Sequence, residues 1–247
     1  VVGVGPGDPE LLTLKGARIL REAPCICVPK GREEGSSLAL SIVKGVLSLE
    51  GKEIIEAHFP MKKTTGQGAR GKGQKINRSA DGPFDTELDA KWDETVNAVL
   101  RRLNAGTDVV FITIGDPTIY STFFYLYDKL LEENPSLTIE IIPGVSSVNA
   151  SAARAGVSLG LADEKIAVIP ATYAKDLKGF LAAFDTLVLM KVHKVFNEIV
   201  KVLEEEGLAG GAVYVVRAGM TDEKIFRNIR DVKEDDLNYF SLMIVRK

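Results

Sequence analysis

Two glycine-bearing turns in this chain stand where a ligand could approach the backbone. The first is Gly3-Val4-Gly5-Pro6-Gly7-Asp8-Pro9; the second, about a hundred residues later, is Ile114-Gly115-Asp116-Pro117-Thr118-Ile119-Tyr120. Each falls where an apolar β-type run stops and a helical pattern starts. In an open α/β sheet the carboxyl ends of parallel strands form the ligand crevice, and glycine there removes the side chain that would keep a ligand off the backbone. Two such turns make one cleft with two walls, suited to a small molecule. A third segment, Ile142-Pro143-Gly144-Val145-Ser146-Ser147, puts hydroxyls at a helix start. Taken alone, Asp116 and Ser146 or Ser147 read as helix caps and Tyr120 as a packing residue.

Other chemistries fit less well. The glycines of the first turn alternate instead of following G-x-G-x-x-G, and Pro6 removes an amide that a pyrophosphate would use. Where a ribose-binding acid belongs, the chain reads Cys27-Val28-Pro29-Lys30, and no Gly-Lys-Ser/Thr follows to make a P-loop. A serine nucleophile needs a base beside it, and the two histidines, His58 and His193, form no recognisable arrangement with the serines. The only cysteines, Cys25 and Cys27, would share one face of a strand, too close along the chain for an ordinary disulfide. With two histidines they make a poor zinc set, and they read as small buried strand residues in a reducing cytoplasm.

The elements that must position these turns follow from periodicity. The 247 residues, 45% hydrophobic and 26% charged with a net charge of −3, suit a globular chain. That balance disfavours a surface made for nucleic acid, and no apolar run reaches bilayer length. The chain opens at Val1 in an apparent strand without Met, so residues are expected to precede it. Strands at Val1–Val4, Cys25–Val28, Glu53–Ala57 and Val109–Ile114 alternate with helices through Ala23, at Leu38–Leu49 and at Thr86–Asn104. This alternation predicts βαβ units and a parallel sheet. After the second turn the reading gives helix Ile119–Glu133, strand Thr138–Ile142, helix Val148–Ala155, strand Lys165–Ile169 and helix Ala174–Phe184. Strand Thr186–Met190, helix Val195–Glu206 and strand Ala212–Val216 follow. Closely spaced strands at Lys224–Asn228 and Tyr239–Val245 predict a mixed second sheet with a hairpin-like edge. The fold class is therefore α/β, with an N-terminal domain over 1–117, a C-terminal domain over 118–247 and a boundary near Pro117–Ile119. Met61–Pro83 is glycine-rich and basic, with Lys62, Lys63, Arg70, Lys72, Lys75 and Arg78 against Asp81 alone. It reads as a solvated loop, as an electrostatic lid over an anionic substrate, or as an RNA-binding segment. The last is disfavoured because the stretch holds no aromatic residue for base stacking.

In order and spacing, G-V-G-P-G-D-P-E-L-L-T-L-K-G, I-G-D-P-T-I-Y-S-T and I-P-G-V-S-S resemble the three signatures of the S-adenosylmethionine-dependent tetrapyrrole methylases. The resemblance runs nearly end to end, through Met190 in L-M-K-V-H-K and Val216-Arg217-Ala218-Gly219. Within the family, A-H-F-P-M at Ala57–Met61 with the insertion after it, and S-T-F at Ser121–Phe123, resemble the branch that methylates carbon-20 of precorrin-2 or its cobalt form in cobalamin synthesis. Basic Gly66–Arg78 departs from that pattern. The alternatives are another tetrapyrrole methylase, diphthine synthase, or a nucleotide- or RNA-binding module without methyl transfer.

The resemblance implies two α/β domains, parallel then mixed, with the methyl donor in the cleft between them, and a homodimeric enzyme; the cysteine usage adds the cytoplasmic setting. By motif, it places Pro6, Ile114, Gly115, Asp116, Ile119, Ser146, Ser147, Ala171, Met190 and Gly219 around the donor. Asp8 and Tyr120 are the candidates for orienting the substrate or helping a proton leave. A substrate rich in carboxylates calls for cations, and Lys30, Arg32, Lys62 and Lys63 are the candidates, with His58 set to approach the ring face. No protein-bound metal is expected; cobalt would arrive with the substrate.

Overall fold

The first half of the chain builds a four-stranded parallel sheet from β1 (Val2–Gly3), β2 (Cys25–Lys30), β3 (Glu53–His58) and β4 (Val109–Thr113), in the order β1-β4-β2-β3. The computed structural model describes residues 1–30, 37–58, 86–173 and 176–247. Arg32, Lys62, Lys63 and the insertion expected over 61–83 lie outside the described residues. The described residues form two compact units: Val1–Gly5 with Pro9–Val145, and Pro6–Asp8 with Ser146–Lys247.

In the first unit, alternation along the strands decides the two faces of the sheet. Ile26, Val28, Val110 and Ile112 are buried with Leu20 of α1 (Leu14–Glu22) and with Ala39, Ile42 and Val43 of α2 (Leu38–Lys44). Cys27 and Phe111 point the other way, toward Val96 and Val99 of α3 (Thr86–Asn104) and Phe123, Leu126 and Leu130 of α4 (Phe123–Glu133). Both faces are thus covered, as a parallel sheet requires. Cys25 and Cys27 are fully buried, and burial pushes the Cys27 thiol up to about 12. They are packing residues, as their spacing indicated.

Two expectations change here. The boundary expected near Pro117–Ile119 falls instead between Val145 and Ser146, because α4 completes the first unit. Its stripe closes one face of the first sheet, and burying side chains such as Phe123 and Leu126 stabilises that placement by roughly 1.5–3 kcal/mol each. The strand expected over Thr138–Ile142 shrinks to one parallel bridge between Val2 and Ile142. Ile142 N donates to the Val1 carbonyl at 2.8 Å and Gly3 N to the Ile142 carbonyl at 3.1 Å. β1 is two residues long and offers no longer partner.

The second unit holds a mixed sheet in the order β5-β6-β9-β7-β8, built from β5 (Ile166–Pro170), β6 (Thr186–Met190), β7 (Ala212–Val216), β8 (Lys224–Phe226) and β9 (Ser241–Arg246). The hairpin-like pairing joins β7 to β8, not the last two strands. β9 runs antiparallel between β6 and β7, since the unbroken apolar run Leu242–Val245 is buried and suits a central strand. Leu187, Leu189, Met243 and Val245 pack with Leu181 of α6 (Leu177–Ala183) and with Ile199 and Leu203 of α7 (Phe196–Glu205). Val188, Leu242 and Ile244 pack with Val148 and Ala152 of α5 (Ser147–Ala155). The pairings run β5, β6 and β7 in one direction, so their carboxyl ends at Pro170, Met190 and Val216 share one sheet edge.

Candidate functional site

Backbone from all three motifs meets within the first unit. Gly5 and Gly115 form an antiparallel bridge, with Gly115 N donating to the Gly5 carbonyl at 2.8 Å. Gly3 and Gly144 press on the Gly115 carbonyl: a Cβ would stand 2.6 Å from that oxygen at Gly3 and 2.4 Å at Gly144. Asp116 ties the junction together. Its carboxylate accepts from the Gly144 amide at 3.0 Å, the Thr118 amide at 2.7 Å and the Thr118 hydroxyl. At 9% exposure it is a buried brace, more than a helix cap. The N-cap of α4 is Thr122, which makes no side-chain cap bond; one residue earlier, Ser121 Oγ accepts from Phe123 N at 3.2 Å and shares a hydrogen bond with Thr113 Oγ1 at 3.1 Å.

Ile114 follows β4 and is half-buried, and Ile119 N donates to the Asp116 carbonyl at 3.3 Å. Tyr120 is half exposed and holds a φ of 53°, a left-handed backbone that costs a bulky residue roughly 1–2 kcal/mol. Burial of its ring raises the phenol pKa, so the O–H remains a donor at neutral pH. Strain of this kind gathers where structure over-determines a residue, commonly at a site.

Within the second unit, the carboxyl edge of the sheet collects the remaining motif residues. Ala171 follows β5, Met190 ends β6, and Ala218 and Gly219 follow β7. Buried Pro6 leads into Gly7 and Asp8, which pack on that last loop. A Cβ on Gly7 would stand 2.5 Å from Met220 Cγ, and one on Gly219 would stand 3.0 Å from Asp8 N. Lys191 and Arg217, the residues just past β6 and β7, both have positive φ, 58° and 54°. Ser146 caps α5: its Oγ accepts from Asn149 N at 3.3 Å and pairs with Asn149 Oδ1 at 2.7 Å. Ser147 is the first residue of the helix. The capping reading of Ser146 is thus realised in the geometry.

Other candidates are dispersed. Lys30 and His58 stand opposite each other at the ends of β2 and β3, and Lys30 Nζ donates to Glu56 Oε2 at 2.8 Å. His193 follows β6, its ring edge-on to Tyr239 at 5.7 Å; burial lowers its pKa and leaves it neutral at neutral pH. Among the described residues, no group of three His, Cys, Asp or Glu is placed to hold a metal, and no helix is long and apolar enough to cross a membrane. Sequence reading did not single out Glu223 or Arg154. Glu223 accepts from Gly219 N at 2.7 Å and is paired with Arg154 at 2.8 Å; the one local signal was an acid four residues after Gly219.

Residues 1–232 match the sequence model of the Tetrapyrrole (Corrin/Porphyrin) Methylases. The chain belongs to this family. This tetrapyrrole methylase is 36% identical to the cobalt-precorrin-2 C(20)-methyltransferase of Salmonella typhimurium, over 100% of this chain and 94% of that protein. The probable cobalt-precorrin-2 C(20)-methyltransferase of Methanocaldococcus jannaschii is likewise 36% identical, over 100% of this chain and 94% of the relative. A uroporphyrin-III C-methyl transferase from Thermus thermophilus, solved with S-adenyl homocysteine, has a TM-score of 0.63 and 24% identity, covering 100% of this chain and 95% of that one. That likeness carries the fold, a two-sheet α/β arrangement of one parallel and one mixed sheet.

Proposed function

We propose that this tetrapyrrole methylase transfers a methyl group from S-adenosylmethionine to carbon-20 of cobalt-precorrin-2, cobalt-factor II or precorrin-2, in cobalamin biosynthesis. The observation that carries the reading is whole-chain similarity at 36% identity to two C(20)-methyltransferases from distant organisms. When bound, S-adenosylmethionine supplies a sulfonium-activated methyl that an electron-rich ring carbon takes by in-line displacement, so alignment matters more than added activation.

The residues fit such a donor. At the carboxyl edge of β5, β6 and β7, where Lys191 and Arg217 also stand, Ala171, Met190, Ala218 and Gly219, with Pro6 in the same unit, offer small, apolar and backbone groups. That chemistry suits a neutral, planar nucleoside read by amides and carbonyls. In this reading Pro6, Ala171, Met190 and Gly219 hold the adenosyl part. Ile114, Gly115, Asp116 and Ile119 contribute the second motif, with Asp116 acting through the Gly144 and Thr118 amides, and Ser146 and Ser147 contribute the start of α5. Asp8 and Tyr120 orient the substrate or help its proton leave; the Tyr120 hydroxyl, kept protonated at neutral pH, suits the orienting role as a hydrogen-bond donor. Lys30, Arg32, Lys62 and Lys63 bind substrate carboxylates by charge-assisted hydrogen bonds, and His58 faces the ring. The same reading makes the enzyme a cytoplasmic homodimer, with cobalt carried by the substrate.

The test is incubation with isotopically labelled donor and precorrin-2, with and without cobalt, followed by carbon NMR of the product. One new methyl on carbon-20 is expected. A methyl on another carbon would move the chain to a different branch of the family, and no transfer to either ring would refute the reading.

A further inference from the structure

The loop after β7 is closed by its own hydrogen bonds. Met220 N donates to the Arg217 carbonyl at 2.9 Å, Glu223 N to the Met220 carbonyl at 3.1 Å, and Arg217 Nε to Asp222 Oδ1 at 2.6 Å. Inside this frame the Glu223 carboxylate turns back and accepts from Gly219 N at 2.7 Å. Its side chain is 9% exposed, so a lone carboxylate there would be costly unless paired. The pairing comes from α5: Arg154 Nε lies 2.8 Å from Oε1 and 3.1 Å from Oε2, and its terminal nitrogen lies 2.8 Å from Oε1.

This pairing has directional consequences. Gly219 sits at a φ of 76°, and its Cα side faces the Asp8 backbone. Fixing the direction of its amide fixes the loop against Pro6–Asp8, which belongs to the same compact unit. The anchor is rigid, since α5 is capped by Ser146 and packs beneath Val188, Leu242 and Ile244. A planar guanidinium holding a carboxylate through two nitrogens sets orientation as well as charge, which a lysine would not do.

We propose that Glu223, held by Arg154, is a positioning residue for the methyl-donor site: it sets the Gly219 loop and so tunes donor affinity without touching the tetrapyrrole. The proposal rests on the reading that this sheet edge holds the donor. It extends that reading to two side chains outside the three motifs.

The test is calorimetric titration of the full chain with S-adenosylhomocysteine, alongside steady-state methyl transfer. Glu223→Ala should weaken binding about tenfold, the size expected for one lost hydrogen bond to a charged group. It should raise KM for the donor and leave KM for the tetrapyrrole unchanged. Glu223→Gln keeps an acceptor for the Gly219 amide but turns an NH2 donor toward Arg154, so it should recover donor affinity only in part, to a value between Glu223→Ala and the parent. A purely structural role would instead shift both KM values together and give no rescue by glutamine; that result overturns the proposal, as does unchanged donor affinity. Should Glu223→Ala not fold, Arg154→Ala removes only the exposed partner. Several-fold weaker donor binding then supports the brace, and unchanged binding refutes it. If the parent protein itself fails to bind S-adenosylhomocysteine, the donor-site reading falls and takes this inference with it; parent binding with indifferent variants removes the inference alone.

Discussion

Asp116 shows how one side chain can brace a junction of three motifs through the backbone. Its carboxylate satisfies the amides of Thr118 and Gly144, the second reached across 28 positions of sequence. Asp116→Ala would leave both without their acceptor, and an unsatisfied, partly buried amide costs about 1–3 kcal/mol. We therefore expect a loss of that order in unfolding free energy, read by urea denaturation. Asp116→Asn should not rescue it, because a carboxamide has only one acceptor oxygen and would turn a donor toward one of the two amides. A loss of only a few tenths would refute the bracing role. Ser146 is tied to its own helix, its hydroxyl pairing with Asn149 at both the amide and Oδ1.

At the scale of elements, two glycines separate backbone strain from crowding. Gly156 ends α5 with a φ of 63°, and Val157 N closes the turn on the Ala152 carbonyl at 2.9 Å. A Cβ there would meet only Arg227 Nη2, at 3.9 Å. Gly156→Ala should thus cost the backbone penalty alone, about 1–2 kcal/mol. At Gly144 the obstacles are backbone atoms, the Gly115 carbonyl oxygen at 2.4 Å and the Gly3 carbonyl carbon at 2.7 Å, and neither can rotate away. Gly144→Ala should lower the melting temperature by more than Gly156→Ala, and should weaken donor binding as well. Equal melting temperatures for the two variants would mean that the motif junction yields easily. Element ends follow the same logic. Thr86–Asn104, Thr186–Met190 and Ala212–Val216 begin and end where their periodicity places them. The segment at Ile119–Glu133 yields a helix only from Phe123, because the strained turn through Tyr120 occupies its start.

For the molecule as a whole, a ligand that binds only the folded chain stabilises it by mass action. Saturating S-adenosylhomocysteine at about a hundred times its dissociation constant should add about 2.7 kcal/mol. Scanning calorimetry should show the rise in melting temperature growing with the logarithm of ligand concentration. A nucleoside lacking the sulfur-bearing tail should give a smaller rise. No shift at any concentration would count against a donor site anywhere in the chain. The net charge of −3 bears on the other substrate. Under the proposed function, a slightly acidic protein taking a polycarboxylate would have to concentrate its cations locally, as the proposed role of Lys30, Arg32, Lys62 and Lys63 supposes.

Taken alone, the amino-acid order determined what depends on near neighbours. Alternating strands and helices identified α/β, the unbroken apolar strands implied burial on both faces, and the glycine turns marked the strand ends. The serine at 146 announced the start of α5, and the three motifs in sequence identified the family. Only the tertiary structure decided matters that depend on distant partners. α4 joins the first unit because Phe123, Leu126 and Leu130 find Phe111 and Val99 there. β9 returns to the centre of its sheet because β6 and β7 leave a place between them. Glu223 meets Arg154 across 69 positions. Spacing encodes periods and caps because those interactions reach only a turn or two along the chain. A buried carboxylate selects its partner by geometry in three dimensions, and local sequence carries no signal for that choice.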